Sequence, residues 1–356
     1  MQDTRARGHS KISKRLYVAQ NIDILSFGKF FRFFRPKVGL SSLDSNESDF
    51  GPVNMANILL FVKSLDAELL SYPESNIVFC VEKGRRNFTN AVLLLGSYMI
   101  LRENLTTGQV LNQFARLDTS LLVPYRTSKC LDRIFDLTLS DCWHALENGK
   151  IRGWVGFSLS PTIWGKINLA FYRNYASSTN GNMHQVVPGE VVAFKGPVSM
   201  GSKYFRDPPC GERCFSPSFH AEVFSEIGVT DIVRLGEHRY HASAFTSLGF
   251  RHHDLFYADE IFPPEAVVTA FFHIIDKAEG AIAVHCDDGL GRTGTLISLH
   301  LMRSHGFTAP EAIAWLRIMR PGSVIGEQQH YLCEVDEILC EMASQDIPEW
   351  SNVLHR

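Results

Sequence analysis

Two stretches of the chain repeat one order of apolar and polar positions. In the C-terminal half, the apolar run Ala281 to Val284 gives way to a glycine-rich polar turn, and a helical stretch opens at Thr293. A short buried run, a turn and then a longer helical period predict strand, loop and helix. Residues 77–101, IVFCVEKGRRNFTNAVLLLGSYMIL, carry the same order in the N-terminal half, with a cysteine expected in the turn. Between the two, His252 to Phe256 has the pattern of a strand, and Pro263-Pro264 closes an irregular segment. Thr308-Ala309-Pro310-Glu311 is a capping-box signature, predicting a helix that ends near Arg320 before Pro321-Gly322. The pattern is that of an α/β fold.

The turn after Val284 holds the chemistry. His285, Cys286, Gly289, Gly291, Arg292, Thr293 and Gly294 fall together where a strand hands over to a helix. A helix N-terminus offers unsatisfied N–H donors and a partial positive charge, which suit a phosphate dianion and stabilise a thiolate. Cys286 is therefore the candidate nucleophile, and the backbone of Asp287, Asp288, Gly289, Leu290 and Gly291 the candidate phosphate cradle. Arg292 offers a planar fork for two phosphoryl oxygens. The Thr293 hydroxyl can serve the sulfur as leaving group, and His285 is a supporting residue. An ordinary core cysteine beside a structural turn would share single features of this set, not their combination.

Transfer of phosphate to a thiolate needs an acid for the leaving oxygen, supplied from another segment. Asp254, Asp259 and Glu260 are the candidates in HHDLFYADEIFPP. Asp259 is preferred because it opens the irregular segment, although an Asp there also suits a helix cap, and Asp254 can equally be a structural acceptor. Gln328 and Gln329 follow the Pro-Gly turn; an amide there can hold the water that hydrolyses a cysteinyl-phosphate, with Gln328 preferred.

With these residues in hand, the chain resembles the dual-specificity protein phosphatases of the mitotic-exit, cell-division-cycle type. The resemblance rests on AIAVHC, GLGRTGT, WLRIMRPGSVIG, VTDIVRL and HHDLFYAD, and in the first half on RLYVA, DFGPVN and VPGEVVAFKGP. It implies two tandem phosphatase-like α/β domains, each a central mixed sheet flanked by helices, the first without a working centre. The expected layout is a basic arm over 1–14, a degenerate domain over 15–165, a linker over 166–184 and a catalytic domain over 185–345. It also implies Cys286 as nucleophile, Arg292 as phosphate clasp, Asp259 as acid, and phosphoserine or phosphothreonine before proline as substrate, at sites written by cyclin-dependent kinases. The N-terminal copy keeps the C-x5-R interval in Cys80 and Arg86. However, Phe79 stands for the histidine, Lys83 and Arg85 for the loop glycines, and Asn87-Phe88 for Thr-Gly.

Two departures from the family carry expectations of their own. The segment Leu169 to Asn182, LAFYRNYASSTNGN, has no acidic residue where relatives read a basic residue downstream of the phosphosite; that preference should weaken. Asp287 and Asp288 stand where a Lys and a small residue are common. Only the loop backbone must face phosphate, so both carboxylates are expected to point into water; alternatively they disfavour a dianion or select basic substrates.

Composition narrows the partners. At 356 residues, 45% apolar and 21% charged, the chain suits two globular domains, and a net charge of -3 gives no bulk attraction to nucleic acid or anionic membrane. Eight cysteines without a regular framework fit a reducing compartment, cytoplasm or nucleus. Cys210, Cys214 and His220 lack a fourth ligand for zinc, Phe30 to Lys37 is expected to pack its rings inward, and Ser41 to Ser48 to form an exposed loop. No metal or cofactor is expected in the reaction. A non-catalytic phosphoprotein-binding adaptor and a phosphoinositide phosphatase remain the alternatives.

Overall fold

The computed structural model describes residues 9–20, 30–39, 49–127, 135–160, 162–209, 211–259 and 262–344. Most of the basic arm, the Ser41–Ser48 loop, Cys210 and Glu260 lie outside them. Two compact units divide the chain. One draws on Met1–Arg126 and Asp136–Gly165, the other on Thr127–Phe135 and Lys166–Arg356.

The first unit contains β1 (His9–Lys11), β2 (Leu16–Gln20), β3 (Phe31–Phe34), α1 (Met55–Ser71), β4 (Asn76–Val81), α2 (Arg85–Leu101), α3 (Thr107–Phe114), α4 (Leu139–Ile151) and the short β5 (Ile163–Trp164). Its sheet has the order β1-β2-β4-β3, with β2 and β3 parallel to β4 and β1 antiparallel to β2. The helix α2 is buried from Phe88 through Leu101. That burial on every side explains its long uninterrupted apolar run. Among the described residues, no helix is long and apolar enough to cross a membrane. In β3, Phe34 is buried against Phe61 and Phe79, whereas Phe30 just before it is 72% exposed, so the aromatic run is only partly turned inward.

The repeated strand-turn-helix is present here as β4 and α2, with one difference from expectation. Cys80 lies within β4 rather than in the turn, and its Sγ donates to the Val78 carbonyl at 3.3 Å. Only residues 82–84 separate strand from helix, which is too short for a cradle of loop amides. Arg86 donates to the Asp49 carbonyl at 3.3 Å and lies over the Phe50 ring, so it is a packing residue.

The second unit continues with β6 (Ile167–Asn168), α5 (Leu169–Tyr175), β7 (Met183–Val187), β8 (Val191–Phe194), β9 (Phe205–Arg206), β10 (Cys214–Phe215), α6 (Pro217–Glu226), β11 (Val229–Arg234), α7 (Ser243–Thr246), β12 (Arg251–Asp254), α8 (Glu265–Lys277), β13 (Ala281–His285), α9 (Gly291–His305), α10 (Ala309–Met319) and α11 (Gln328–Ser344). The segment 166–184 thus carries β6, α5 and the start of β7; the Tyr172 hydroxyl donates to the Met319 carbonyl at 2.7 Å. The main sheet has the order β12-β11-β13-β8-β7, parallel except for β7 against β8. Every residue of β13 is buried, as expected for a central parallel strand. Its C-terminal edge feeds the loop that opens α9, the edge where open α/β sheets place ligands. The expected capping box starts α10, with Thr308 and Glu311 bonded reciprocally, and Arg320 is the C-cap.

Candidate active site

Residues 286–290 form the loop between β13 and α9, and the tight fit around it explains its glycines. Gly289 has φ +68°, and a Cβ there would meet the Phe194 carbonyl oxygen at 2.0 Å. A Cβ on Gly291 would meet the Gln328 amide at 3.1 Å. Any side chain at Gly289 would push the loop off the sheet edge.

Cys286 is buried at 5% exposure at the loop's start. Its carbonyl lies 2.9 Å from His285 Nδ1, while His285 Nε2 lies 2.8 Å from the Tyr240 hydroxyl, itself 2.9 Å from His252 Nε2. A carbonyl only accepts, so Nδ1 of His285 carries the proton, Tyr240 donates to His285 and His252 donates to Tyr240. Burial drives His285 down to about 3 and keeps the ring neutral, as this chain of donors requires. The result is a fixed peptide orientation at Cys286.

The Arg292 side chain is 3% exposed, and Nη1 donates to the carbonyls of Tyr257 and Leu235 at 3.0 and 3.3 Å. Its Nη2 donates to Asp287 Oδ2 at 2.6 Å, and its Nε stands 3.3 Å from Asp259 Oδ1 in an ion pair. Burial works against the guanidinium charge, but Cys286, Asp259 and Asp287 outweigh it and raise its pKa. The candidate nucleophile Cys286 and Arg292, from one loop, and the candidate acid Asp259, from another segment, therefore converge at one site. Asp259 is 66% exposed, so its outer face is open to solvent. Asp254 instead accepts from Arg234 Nε at 2.5 Å and is structural.

The Asp287 carboxylate does not point into water as expected. It bridges Arg292 and Arg239, whose Nη2 is 3.3 Å from Oδ1. Two guanidinium groups attract the nearest carboxylate, and Asp287 lies beside both. Asp288 is exposed, as expected.

Residues 43–149 match the family model "Dual specificity protein phosphatase, N-terminal half", and residues 218–338 match "Dual specificity phosphatase, catalytic domain". Along 286 residues, 80% of the chain, it is 37% identical to the dual specificity protein phosphatase CDC14C of Symphalangus syndactylus, and it spans 56% of that protein. Identity is likewise 37% with CDC14B of Mus musculus, over 80% of the chain and 56% of the relative. With the tyrosine-protein phosphatase CDC14 of Saccharomyces cerevisiae it is 33%, over 80% of the chain and 51% of the relative. The chain belongs to the CDC14 dual specificity protein phosphatase family. It spans between half and two thirds of the length of these CDC14 relatives.

Gln328 lies against Gly291, its Oε1 accepting from the Ile325 N–H at 3.2 Å. Gln329 is fully buried in scaffolding, bonded to Arg317 Nη2 at 2.6 Å and the Gly326 carbonyl at 2.9 Å. Thr293 Oγ1 is buried without a hydrogen-bond partner, which leaves its proton available. His220, considered with Cys214 for zinc, has Nε2 3.1 Å from the Gly181 carbonyl and Nδ1 3.3 Å from the Ser216 carbonyl; neither nitrogen is turned to a metal.

One functional residue was not anticipated. Arg320 is buried beneath the loop, donating to the carbonyls of Asp288 and Gly289 at 2.8 Å each, with His184 Nδ1 2.8 Å from its Nη1. Burial holds His184 well below the usual imidazole range, so it is a neutral acceptor, and lowers Arg320 to about 10, still a cation. In a trans peptide the N–H points opposite the C=O. Drawing these two carbonyls to Arg320 therefore turns the N–H groups of Gly289 and Leu290 the other way, as an oxyanion cradle needs. The sequence signal was an arginine just before Pro-Gly, which an ordinary helix C-cap shares.

Proposed function

We propose that the chain is a protein phosphatase acting through a cysteinyl-phosphate on phosphoserine and phosphothreonine followed by proline, and on phosphotyrosine, reversing cyclin-dependent-kinase phosphorylation in the cell cycle. The observation that carries this reading is the convergence of Cys286, Arg292 and Asp259 at the loop between β13 and α9. In the first step the Cys286 thiolate forms the S–P bond as the ester P–O bond breaks, and Asp259 gives its proton to the leaving oxygen. Arg292 and the loop N–H groups hold the equatorial oxygens. In the second step Gln328 orients a water, Asp259 takes its proton, the S–P bond breaks, and the Thr293 hydroxyl bonds to the departing sulfur. Inorganic phosphate leaves and the thiolate returns.

Substrate binding requires Asp287 to release Arg292, and Arg239 is in place to keep the carboxylate. This reading is tested by phosphate release from phosphoserine-proline, phosphoserine-alanine and phosphotyrosine peptides, with wild type and Cys286→Ser, in EDTA. Cys286-dependent turnover favouring the proline peptide over the alanine peptide is expected. Binding without turnover of any of the three would replace it with the adaptor reading, which the Asp287–Arg292 contact favours.

A further inference from the structure

At the opposite end of α9 from the phosphate loop, three side chains with metal-binding chemistry converge. Glu190 sits in the turn between β7 and β8; its own N–H donates to the Val187 carbonyl at 2.9 Å and its carbonyl accepts from Ile282 at 2.8 Å, so the turn is pinned to the sheet. His300 and His305 come from the last two turns of α9. Glu190 Oε2 lies 3.4 Å from His300 Nε2 and 2.9 Å from His305 Nε2, and the three ligand atoms all fall within 4.8 Å of one another. Zinc bonds of roughly 2.0–2.1 Å in tetrahedral geometry place donors about 3.4 Å apart. Small side-chain adjustments would bring this trio to that spacing.

Two further features favour a cation at this point. The C-terminal end of a helix carries partial negative charge, and the trio lies there. His300 Nδ1, on the other side of its ring, is 3.2 Å from Ser304 Oγ, the outer-shell partner that fixes the tautomer of a ligating histidine. Arg303, the cation on the same turn, is committed to Asp276 at 2.6 Å. Two imidazoles and a carboxylate select zinc-like transition ions over magnesium or calcium.

We propose that Glu190, His300 and His305 bind a divalent transition metal ion of the zinc class, with solvent as the fourth ligand. The ion ties the β7–β8 turn to the end of α9. It lies away from the phosphate loop, and the phosphatase chemistry does not draw on it.

The test uses the full chain carrying Cys286→Ser, so that the candidate nucleophile cannot bind metal, stripped with chelator and titrated with cobalt(II). One cobalt per chain is expected, with a visible spectrum of nitrogen and oxygen ligands and displacement by zinc. His305→Gln and Glu190→Gln should each weaken binding by about tenfold or more, and Ser304→Ala by about tenfold. Zinc should raise the thermal midpoint of the parent above its metal-free value, and should not raise that of His305→Gln above its own. Failure of stoichiometric uptake, a thiolate-to-cobalt charge-transfer band, or uptake indifferent to both His305→Gln and Glu190→Gln would overturn the proposal.

Discussion

Asp287 Oδ2 accepts a 2.6 Å hydrogen bond from Arg292 Nη2, so the guanidinium that should hold phosphate is partnered by a carboxylate from its own loop. In the proposed reaction, phosphate and Asp287 compete for one donor. Removing the carboxylate in Asp287→Asn should lower the competitive inhibition constant of inorganic phosphate about tenfold, equivalent to about 1.4 kcal/mol. An unchanged constant would mean that Asp287 leaves without cost; a higher one would mean that it positions Arg292 rather than competing.

Arg320 serves the loop through carbonyls, not through substrate. Arg320→Met leaves the Asp288 and Gly289 carbonyls buried without their donor and frees the peptides to turn. Peptide turnover should fall about a hundredfold, the scale of an ångström misplacement at a reacting centre. The thermal midpoint should fall as well, because buried polar groups lose their partner. Retained kcat in a destabilised variant would show that loop orientation does not depend on Arg320.

The two adjacent glutamines should separate by assay. Gln328→Ala is expected to slow hydrolysis of the cysteinyl-phosphate, so that a burst of released peptide precedes a slow steady rate, with little change in the thermal midpoint. Gln329→Ala removes the 2.6 Å bond from Arg317 Nη2 to the Gln329 amide and should lower the midpoint instead. A burst in Gln329→Ala, or none in Gln328→Ala, would reverse the assignment.

Acid should weaken the second unit through its buried histidines. Burial lowers His220 and His252 from the usual 6.5 to about 4, and His285 to about 3. Between those values and 6.5 the unfolded chain binds more protons than the folded one, so stability rises with pH. The contribution is fully present above the unfolded value of 6.5 and is lost as pH falls toward 4 and then 3. A thermal midpoint that declines steadily below about pH 6.5 is expected; a flat midpoint down to about pH 4 would contradict the neutral His252–Tyr240–His285 chain.

What the sequence disclosed was local. Gly289 and Gly291 announced a tightly bent loop, which packs on the Phe194 backbone and the Gln328 side chain, and the Cys286–Arg292 interval matched a strand-loop-helix. Thr308 and Glu311 cap their helix within one turn. Hidden features join distant segments: Arg320 reaches the loop from the end of α10, and Tyr240 links His252 to His285 only once β11, β12 and β13 are paired. The direction of Asp287 was missed because solvent is the ordinary place for a loop carboxylate. It is the buried fork of Arg292 and the nearby Arg239 that hold it. Cys80 kept the interval to Arg86 while β4 ran through it, showing that spacing alone does not make a cradle.

The most direct test of the account is to quench turnover of a phosphoserine-proline peptide with acid and map the phosphate by mass spectrometry, using wild type, Gln328→Ala and Cys286→Ser. Phosphate bound to the peptide containing Cys286, more abundant in Gln328→Ala and absent in Cys286→Ser, is the predicted result. Turnover with no phosphorylated enzyme, or phosphate carried on another residue, would contradict Cys286 as the nucleophile.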